Sequence, residues 1–213
     1  MKPMLTVDFS LDLICPWCWI GLRNLQAARA QWLQRHAGQP LQIRWHAETL
    51  LPQIPEQGVP YQAFYEARLG GPRAVEARRA QVRAAAQAAG LEINHGLIQT
   101  FPNTRRVCAL VNYAQTQLDA EAMTAFVESI FAAYFVQGRD IGSPVVLQEL
   151  ADAAELVWNA ADFDAERYQS DQGPMGGVPH MVFNQRLQVT GAVAPAELLR
   201  AMEHACAADR NLA

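Results

Sequence analysis

Hydrophobic and polar residues alternate from Leu5 to Leu13. Leu5, Val7, Phe9, Leu11 and Leu13 fall on one side, and Thr6, Asp8, Ser10 and Asp12 on the other. A sustained period of two predicts a β-strand with one buried face. The period then lengthens. After Cys15-Pro16-Trp17-Cys18, residues Leu22, Leu25, Ala28, Trp32 and Leu33 recur at helical spacing until His36–Gly38, where a glycine stop is expected. Leu41, Ile43 and Trp45 alternate with Gln42, Arg44 and His46, predicting a second strand. The first fifth of the chain therefore reads β-α-β, with a CxxC at the strand-to-helix joint.

Beyond residue 50, Pro52, Pro55, Gly58 and Pro60 punctuate a loop, and helical patterns then dominate for about a hundred residues. Helices are expected from Pro72 to Gly90, after Pro102-Asn103-Thr104, from Ala122 to Val136 with a stop at Gly138, and from Ser143-Pro144 onward. In the last of these, serine is placed to cap and proline to occupy the first turn. Near the C-terminal end, Met181–Phe183 and Leu187–Val189 flank Asn184-Gln185-Arg186 as a hairpin would, and a closing helix starts beyond Pro195. The string is β-α-β, helical insert, β-β-α.

Composition narrows the class. The chain has 213 residues, 51% hydrophobic and 18% charged, enough for one large domain or two small ones and too apolar for disorder. A net charge of −4 argues against a nucleic-acid binder. Lys2 is the sole lysine among 17 basic residues, which reads as compositional drift. The longest charge-free apolar stretch, Leu13–Leu22, is too short to span a membrane, and Asp8 and Asp12 interrupt any signal-peptide core. With Met1 as the native start, a cytoplasmic address with reduced thiols is expected.

Four cysteines in this length do not make a disulfide scaffold. Cys15 and Cys18 lack the two clustered further ligands of a zinc site, because Cys108 and Cys206 are far along the chain and single; no metal is expected. A c-type haem needs histidine where Trp19 stands. A redox pair needs its first cysteine at a helix N-terminus, where free N–H groups and the helix dipole stabilise thiolate, and this sequence supplies that. Trp17 should be partly exposed for substrate contact. Trp19 offers the same apolar surface, and Ile20 reads as core. Gly176-Gly177-Val178-Pro179-His180 enters a strand, so Pro179 belongs at its first residue or edge. A cis Val178–Pro179 bond packed against the CxxC and an ordinary trans turn both fit.

Other candidates are weaker. Cys108 and Cys206 read as buried, inert thiols. His46, His95, His180 and His204 lack metal-like spacing, His180 standing out for its place beside Pro179. Arg68, Arg73, Arg78, Arg79 and Arg83, interleaved with Glu66 and Glu76, read as a solvated helix face, with an anionic-ligand or partner site as the minor alternative.

The chain resembles the DsbA-like, thioredoxin-fold oxidoreductases, specifically their cytosolic FrnE-like branch. The resemblance rests on Phe9–Gly21 (FSLDLICPWCWIG), Pro102-Asn103-Thr104, Ala133-Tyr134-Phe135 running into Gly138-Arg139-Asp140-Ile141-Gly142, Gly177-Val178-Pro179, and Val189-Thr190-Gly191-Ala192. It implies an α/β, thioredoxin-like fold (β-α-β … β-β-α) with an all-helical domain inserted. Residues 1–58 and 166–213 would form the discontinuous thioredoxin-like domain, and 59–165 the insertion. Pro179 would be a cis-proline facing Cys15. Family members usually carry a further helix just before this turn. Here only Asp162 to Met175 intervenes, and Gln172-Gly173-Pro174 makes a poor helix, so the stretch is either a shortened loop or a place where residues are missing.

The implied chemistry is thiol–disulfide exchange. Cys15 attacks a substrate disulfide and Cys18 resolves the mixed disulfide. Pro16, Trp17, Val178 and His180 would contact substrate, with Val178 offering its backbone for strand-like pairing. Asp12 would relay the proton of Cys18, or else cap the helix that follows. Pro-Trp puts no charge between the cysteines, so thiolate stabilisation should be weaker than with a histidine there, and a reducing or isomerising direction is expected in the cytosol. No cofactor is expected beyond the cysteine pair, with glutathione a candidate co-substrate. The expected partners are disulfide- or dithiol-containing proteins or small thiols, and neither nucleic acid nor membrane. Two rival functions are a glutathione-dependent isomerase or transferase acting on small aromatic substrates, and a non-catalytic, redox-regulated binding module.

Overall fold

The computed structural model describes residues 4–170 and 177–210. The Gln172-Gly173-Pro174 segment, Gly176, Met1 and Lys2 lie outside the described residues. Strand β1 (Leu5–Leu11) forms as its alternation requires: Leu5, Val7, Phe9 and Leu11 are fully buried, while the residues between them are half-buried. Helix α1 (Pro16–Arg35) follows, and β2 (Leu41–Ala47) returns parallel to β1, with Leu5 opposite Leu41 and Leu11 opposite Ala47. The hairpin of β5 (His180–Phe183) and β6 (Leu187–Thr190) completes the sheet in the order β2-β1-β5-β6, β5 running antiparallel to β1. Asn184 and Gln185 take the positive φ angles, 48° and 58°, that a tight two-stranded turn demands. Asn184 also pins the turn to β1, its Oδ1 accepting from the Thr6 amide at 2.8 Å. The closing helix α7 (Pro195–Arg210) packs against α1.

Between β2 and β5 come α2 (Tyr61–Leu69), α3 (Pro72–Ala88), α4 (Arg105–Ala114), α5 (Ala120–Phe135) and α6 (Pro144–Ala153). Helix α2 is absent from the sequence reading. A two-residue ladder also joins β3 (Val59–Pro60) to β4 (Thr100–Phe101) within this helical region. Of the Asp162–Met175 stretch, the described part carries one 3-10 turn, Glu166–Tyr168. Among the described residues no helix is long and apolar enough to cross a membrane.

The helices are tied to the sheet by polar bonds as well as burial. β2 is an edge strand, whose outward backbone groups would otherwise lack partners. Helix α4 supplies them from two amide side chains. Asn112 receives the Ala47 N–H at 2.9 Å and donates to its carbonyl at 3.0 Å, and Gln115 does the same for Trp45 at 3.2 and 2.9 Å. On the other side, Trp19 of α1 stacks on Phe131 and Phe135 of α5, and its indole N–H donates to Glu128 at 2.6 Å. Arg23 pairs with the same carboxylate at 3.1 Å. Trp19 and Ile20 are thus buried in the core, and of the three apolar neighbours of the CxxC only Trp17 is left partly exposed.

Helix α5 ends three residues before Gly138, whose φ of 68° is left-handed. A Cβ there would lie 2.7 Å from the carbonyl carbon of Leu97. Gly138→Ala should therefore cost ~3 kcal/mol, combining left-handed strain with a backbone clash. Gly70, with a φ of 88° and open space around it, carries the strain alone, so Gly70→Ala should cost ~1–2 kcal/mol. Urea unfolding of the two variants checks this, and equal losses would show that the Leu97 contact yields.

Candidate active site

Strand β1 delivers the chain to the site through a tight turn in which the Cys15 N–H donates to the Asp12 carbonyl at 3.0 Å. Cys15 is the N-cap residue of α1, with extended backbone angles, and Pro16 fills the first helical position, where its missing N–H costs nothing. The Cys15 carbonyl accepts from the Cys18 N–H at 3.0 Å, so the two cysteines bracket the first turn. Both thiols are free. Cys15 is half-buried and Cys18 is fully buried. Burial pushes the Cys18 thiol well above the ordinary range, and the adjacent Cys15 sulfur adds to the rise.

Across from Cys15, the Val178–Pro179 peptide bond is cis, and the Val178 carbonyl oxygen lies 4.0 Å from the Cys15 sulfur. Gly21, one turn beyond Cys18, makes room for this loop: a Cβ there would sit 3.0 Å from the Pro179 ring. His180, expected at the substrate, is instead placed inside the sheet. It is 4% exposed, bonds Thr190 Oγ1 at 2.8 Å through Nδ1, and is not part of the cleft wall.

Asp12, three residues before Cys15, is fully buried. One carboxylate oxygen accepts from the Leu50 N–H at 2.9 Å and the Thr104 hydroxyl at 3.2 Å; the other faces the Ile14 N–H at 3.4 Å and the Cys108 thiol at 3.8 Å. Its carboxylate does not cap α1, whose N-cap is Cys15. Burial raises the Asp12 pKa from 3.8 to about 6, against the pull of these donors. Glu48, just past β2, is a second largely buried carboxylate, likewise raised by burial and by the charge of Asp12. Cys108 is buried as expected, yet it is a neighbour of Asp12 rather than plain filling. Cys206 is buried elsewhere, against Gln39.

The thiol of Cys15 opens on a cleft of about 520 Å³, a volume suited to a small molecule or a short peptide stretch. Pro16, Trp17 and Val178 line its mouth beside Cys15. The far wall comes from α2, α3 and the segment after α3, including Tyr61, Phe64, Tyr65 and His95. None of these four is identified as a site residue by the sequence alone. Three members of the arginine set, Arg68, Arg78 and Arg79, line the same wall, Arg68 and Arg78 exposed and Arg79 half-buried. Arg78 lies over the Trp17 ring at 5.4 Å, joining α3 to the CxxC helix.

The family model of the DSBA-like thioredoxin domain matches residues 6–203. No curated protein matches the sequence. Among solved structures, a probable DsbA oxidoreductase from Streptomyces coelicolor superposes with a TM-score of 0.77 at 20% identity, covering 94% of this chain and 89% of that one. The cytosolic disulfide reductase DsbM from Pseudomonas aeruginosa, solved with GSH, gives 0.58 at 21% identity over 97% and 98% of the two chains. A 2-hydroxychromene-2-carboxylate isomerase gives 0.61 at 19% identity over 98% and 99%.

Proposed function

Because the chain belongs to the DSBA-like thioredoxin domain family, a family of thiol oxidoreductases, we propose that it exchanges disulfides through Cys15 and Cys18. The observation that carries this is the unequal placement of two free thiols in one helical turn. Cys15 stands at the helix N-terminus and opens on a cleft, and Cys18 is sealed behind it. The helix dipole and free N–H groups favour negative charge where Cys15 sits, which suits the attacking sulfur. Its thiolate attacks a substrate disulfide, forming a Cys15–substrate disulfide and releasing one substrate thiolate. Cys18 then gives up its proton and attacks the Cys15 sulfur, expelling the second substrate thiolate and leaving Cys15–Cys18 oxidised. An external thiol or dithiol restores the reduced pair.

Asp12 is the proton acceptor for Cys18. It is buried at the same depth, and with a pKa of about 6 it is ionised at neutral pH yet basic enough to take a proton. Pro16, Trp17 and Val178 hold the substrate at the cleft mouth, the Val178 carbonyl as a backbone acceptor. Pro179 sets the Val178 backbone opposite Cys15. The uncharged Pro-Trp pair between the cysteines favours reduction over net oxidation, in keeping with a cytoplasmic address, and glutathione would serve as a small-thiol co-substrate.

Insulin reduction in dithiothreitol, followed by turbidity, tests the proposal. The protein should shorten the lag at catalytic concentrations, and the reduced protein mixed with excess insulin without dithiothreitol should give a tryptic map containing the Cys15–Cys18 disulfide. A lag equal to that of dithiothreitol alone would leave the isomerase and binding-module alternatives. Of these, only the isomerase would turn over a hydroxychromene carboxylate with glutathione.

A further inference from the structure

The wall of the cleft facing Cys15 is electropositive, and it carries donors without protein acceptors. Arg68, Arg78 and Arg79 line it, while among the described residues no aspartate or glutamate does. Among the described residues, none of the three arginines pairs with a carboxylate within 4.0 Å, although Arg83 on the same helix pairs with Glu76 at 2.6 Å. Arg78 and Arg79 instead hold the amide oxygens of Gln81 and Gln62, and Arg68, Arg78 and Arg79 lie over the rings of Phe64, Trp17 and Tyr61. Such contacts orient a guanidinium without neutralising it.

The inner end of the wall is more specific. His95 is 91% buried by its 9% exposure, and its Nε2 has no hydrogen-bond partner; the buried Nε of Arg79 has none either. Two orphaned polar nitrogens at the edge of one cleft are costly unless something fills it. The proton positions follow from the chain of contacts. The Tyr61 hydroxyl lies 3.0 Å from His95 Nδ1 and donates to that nitrogen when the ring is neutral with its proton on Nε2. Burial and the neighbouring arginines lower the His95 pKa to about 4, so the ring is neutral and its one proton stays on Nε2. His95 Nε2–H and the guanidinium of Arg79 are then both donors seeking one acceptor, and an anionic oxygen satisfies both.

We propose that this wall binds the carboxylate of a small anionic disulfide, with Arg79 and His95 taking the carboxylate, Arg78 and Arg68 strengthening the field, and Cys15 meeting the sulfur. The proposal deepens the oxidoreductase reading and rests on it for the sulfur chemistry alone. Arg78, Arg79 and His95 all come from the segment inserted between β2 and β5, so the insert would choose substrates by charge while the CxxC performs the exchange. A cleft of about 520 Å³ admits such a molecule whole.

Three disulfides of similar size separate charge from reactivity: 3,3′-dithiodipropionate with two carboxylates, neutral bis(2-hydroxyethyl) disulfide, and cystamine with two ammonium groups. Oxidation of the reduced protein by each, followed by acid quench and mass spectrometry, is divided by the rate at which dithiothreitol reacts with the same compound. The normalised anionic rate should exceed the neutral one by about tenfold at low salt, the cationic rate should be lowest, and added salt should narrow the spread. In the Arg78→Gln/Arg79→Gln double variant the anionic-to-neutral ratio should fall toward one, whereas in Arg73→Gln, on the same helix but away from the cleft wall, it should persist. An anionic rate no greater than the neutral one, or a ratio unchanged in the double variant, overturns the proposal.

Octanedioate, in which two methylenes replace the sulfurs, tests the pocket without redox chemistry. It should shift the His95 ring resonances of the wild-type protein, and the double variant should lose the shift. Failure to exchange any disulfide with octanedioate still bound would overturn the oxidoreductase proposal and leave the anion site standing. Exchange without octanedioate binding would do the reverse.

Discussion

The Cys15→Ser variant should reduce insulin no faster than dithiothreitol alone, while melting at the temperature of the wild type. Both halves follow from where the sulfur sits. Cys15 is half-buried at the cleft mouth, and its side chain makes no cap bond to the helix, so replacing sulfur by oxygen removes little packing. The chemistry is lost because a serine hydroxyl, unlike a thiolate, does not attack a disulfide at neutral pH. No other cysteine can substitute. Cys18 and Cys108 are fully buried and held as thiols by burial, and Cys206 is buried away from the cleft wall. The companion Cys18→Ser variant separates the two steps. Its Cys15 still attacks, but nothing resolves the product, so a substrate adduct should accumulate and be visible as added mass. Retained turnover in Cys15→Ser, or an adduct mapping to Cys108, would show that the wrong thiol has been assigned as nucleophile.

Much of this site is written in local pattern, and the rest is not local. The strand before Cys15 is legible because one face of it is completely buried, so Leu5, Val7, Phe9 and Leu11 had to alternate with polar residues. The helix after it is legible from Pro16 and the apolar spacing that follows. Helix α2 is not, because only Tyr61 of its residues is fully buried. Phe64 and Tyr65 face a cleft, which is neither core nor solvent, and so leave no apolar stripe. The arginines of α2 and α3 look like a solvated face for the same reason. The partners of Asp12 are equally hidden. Leu50 and Thr104 reach it across long sequence separations, and Thr104 gives its hydroxyl to that carboxylate instead of capping α4. Helix starts show how far residue type alone carries. Ser143 stands at the N-cap of α6 as expected but makes no side-chain cap bond, whereas Asp119, not anticipated, caps α5 through two backbone amides.

Asp12→Asn should make the protein more stable and slower at neutral pH, an opposition that a purely structural aspartate would not show. The folded-state pKa of about 6 lies above the ordinary 3.8, so the folded protein holds the Asp12 proton more tightly than the unfolded chain does. Stability from that proton is therefore fully present below about pH 4 and is lost as pH rises through 6. Above pH 6 the wild type carries an ionised carboxylate in the core, at a cost of up to ~3 kcal/mol. Asparagine mimics the neutral form, so the variant should gain up to that amount at pH 7, or several degrees in melting temperature, and gain nothing at pH 4. Its Oδ1 can keep the Leu50 and Thr104 bonds, while its amide nitrogen faces the Cys108 sulfur and gives up the long bond from the Ile14 N–H. The kinetic cost falls on one step. Attack by Cys15 on a substrate disulfide should proceed, but resolution by Cys18, whose proton has lost its acceptor, should slow by roughly a hundredfold. Stopped-flow oxidation with quench at intervals would then show the mixed disulfide building up in the variant. The wild-type resolution rate should rise with pH through an inflection near 6, and that inflection should vanish in Asp12→Asn. Greater stability with an unchanged resolution rate would confine Asp12 to the electrostatics of the core and hand the proton to another group, for which the buried Glu48 is the nearest carboxylate in kind.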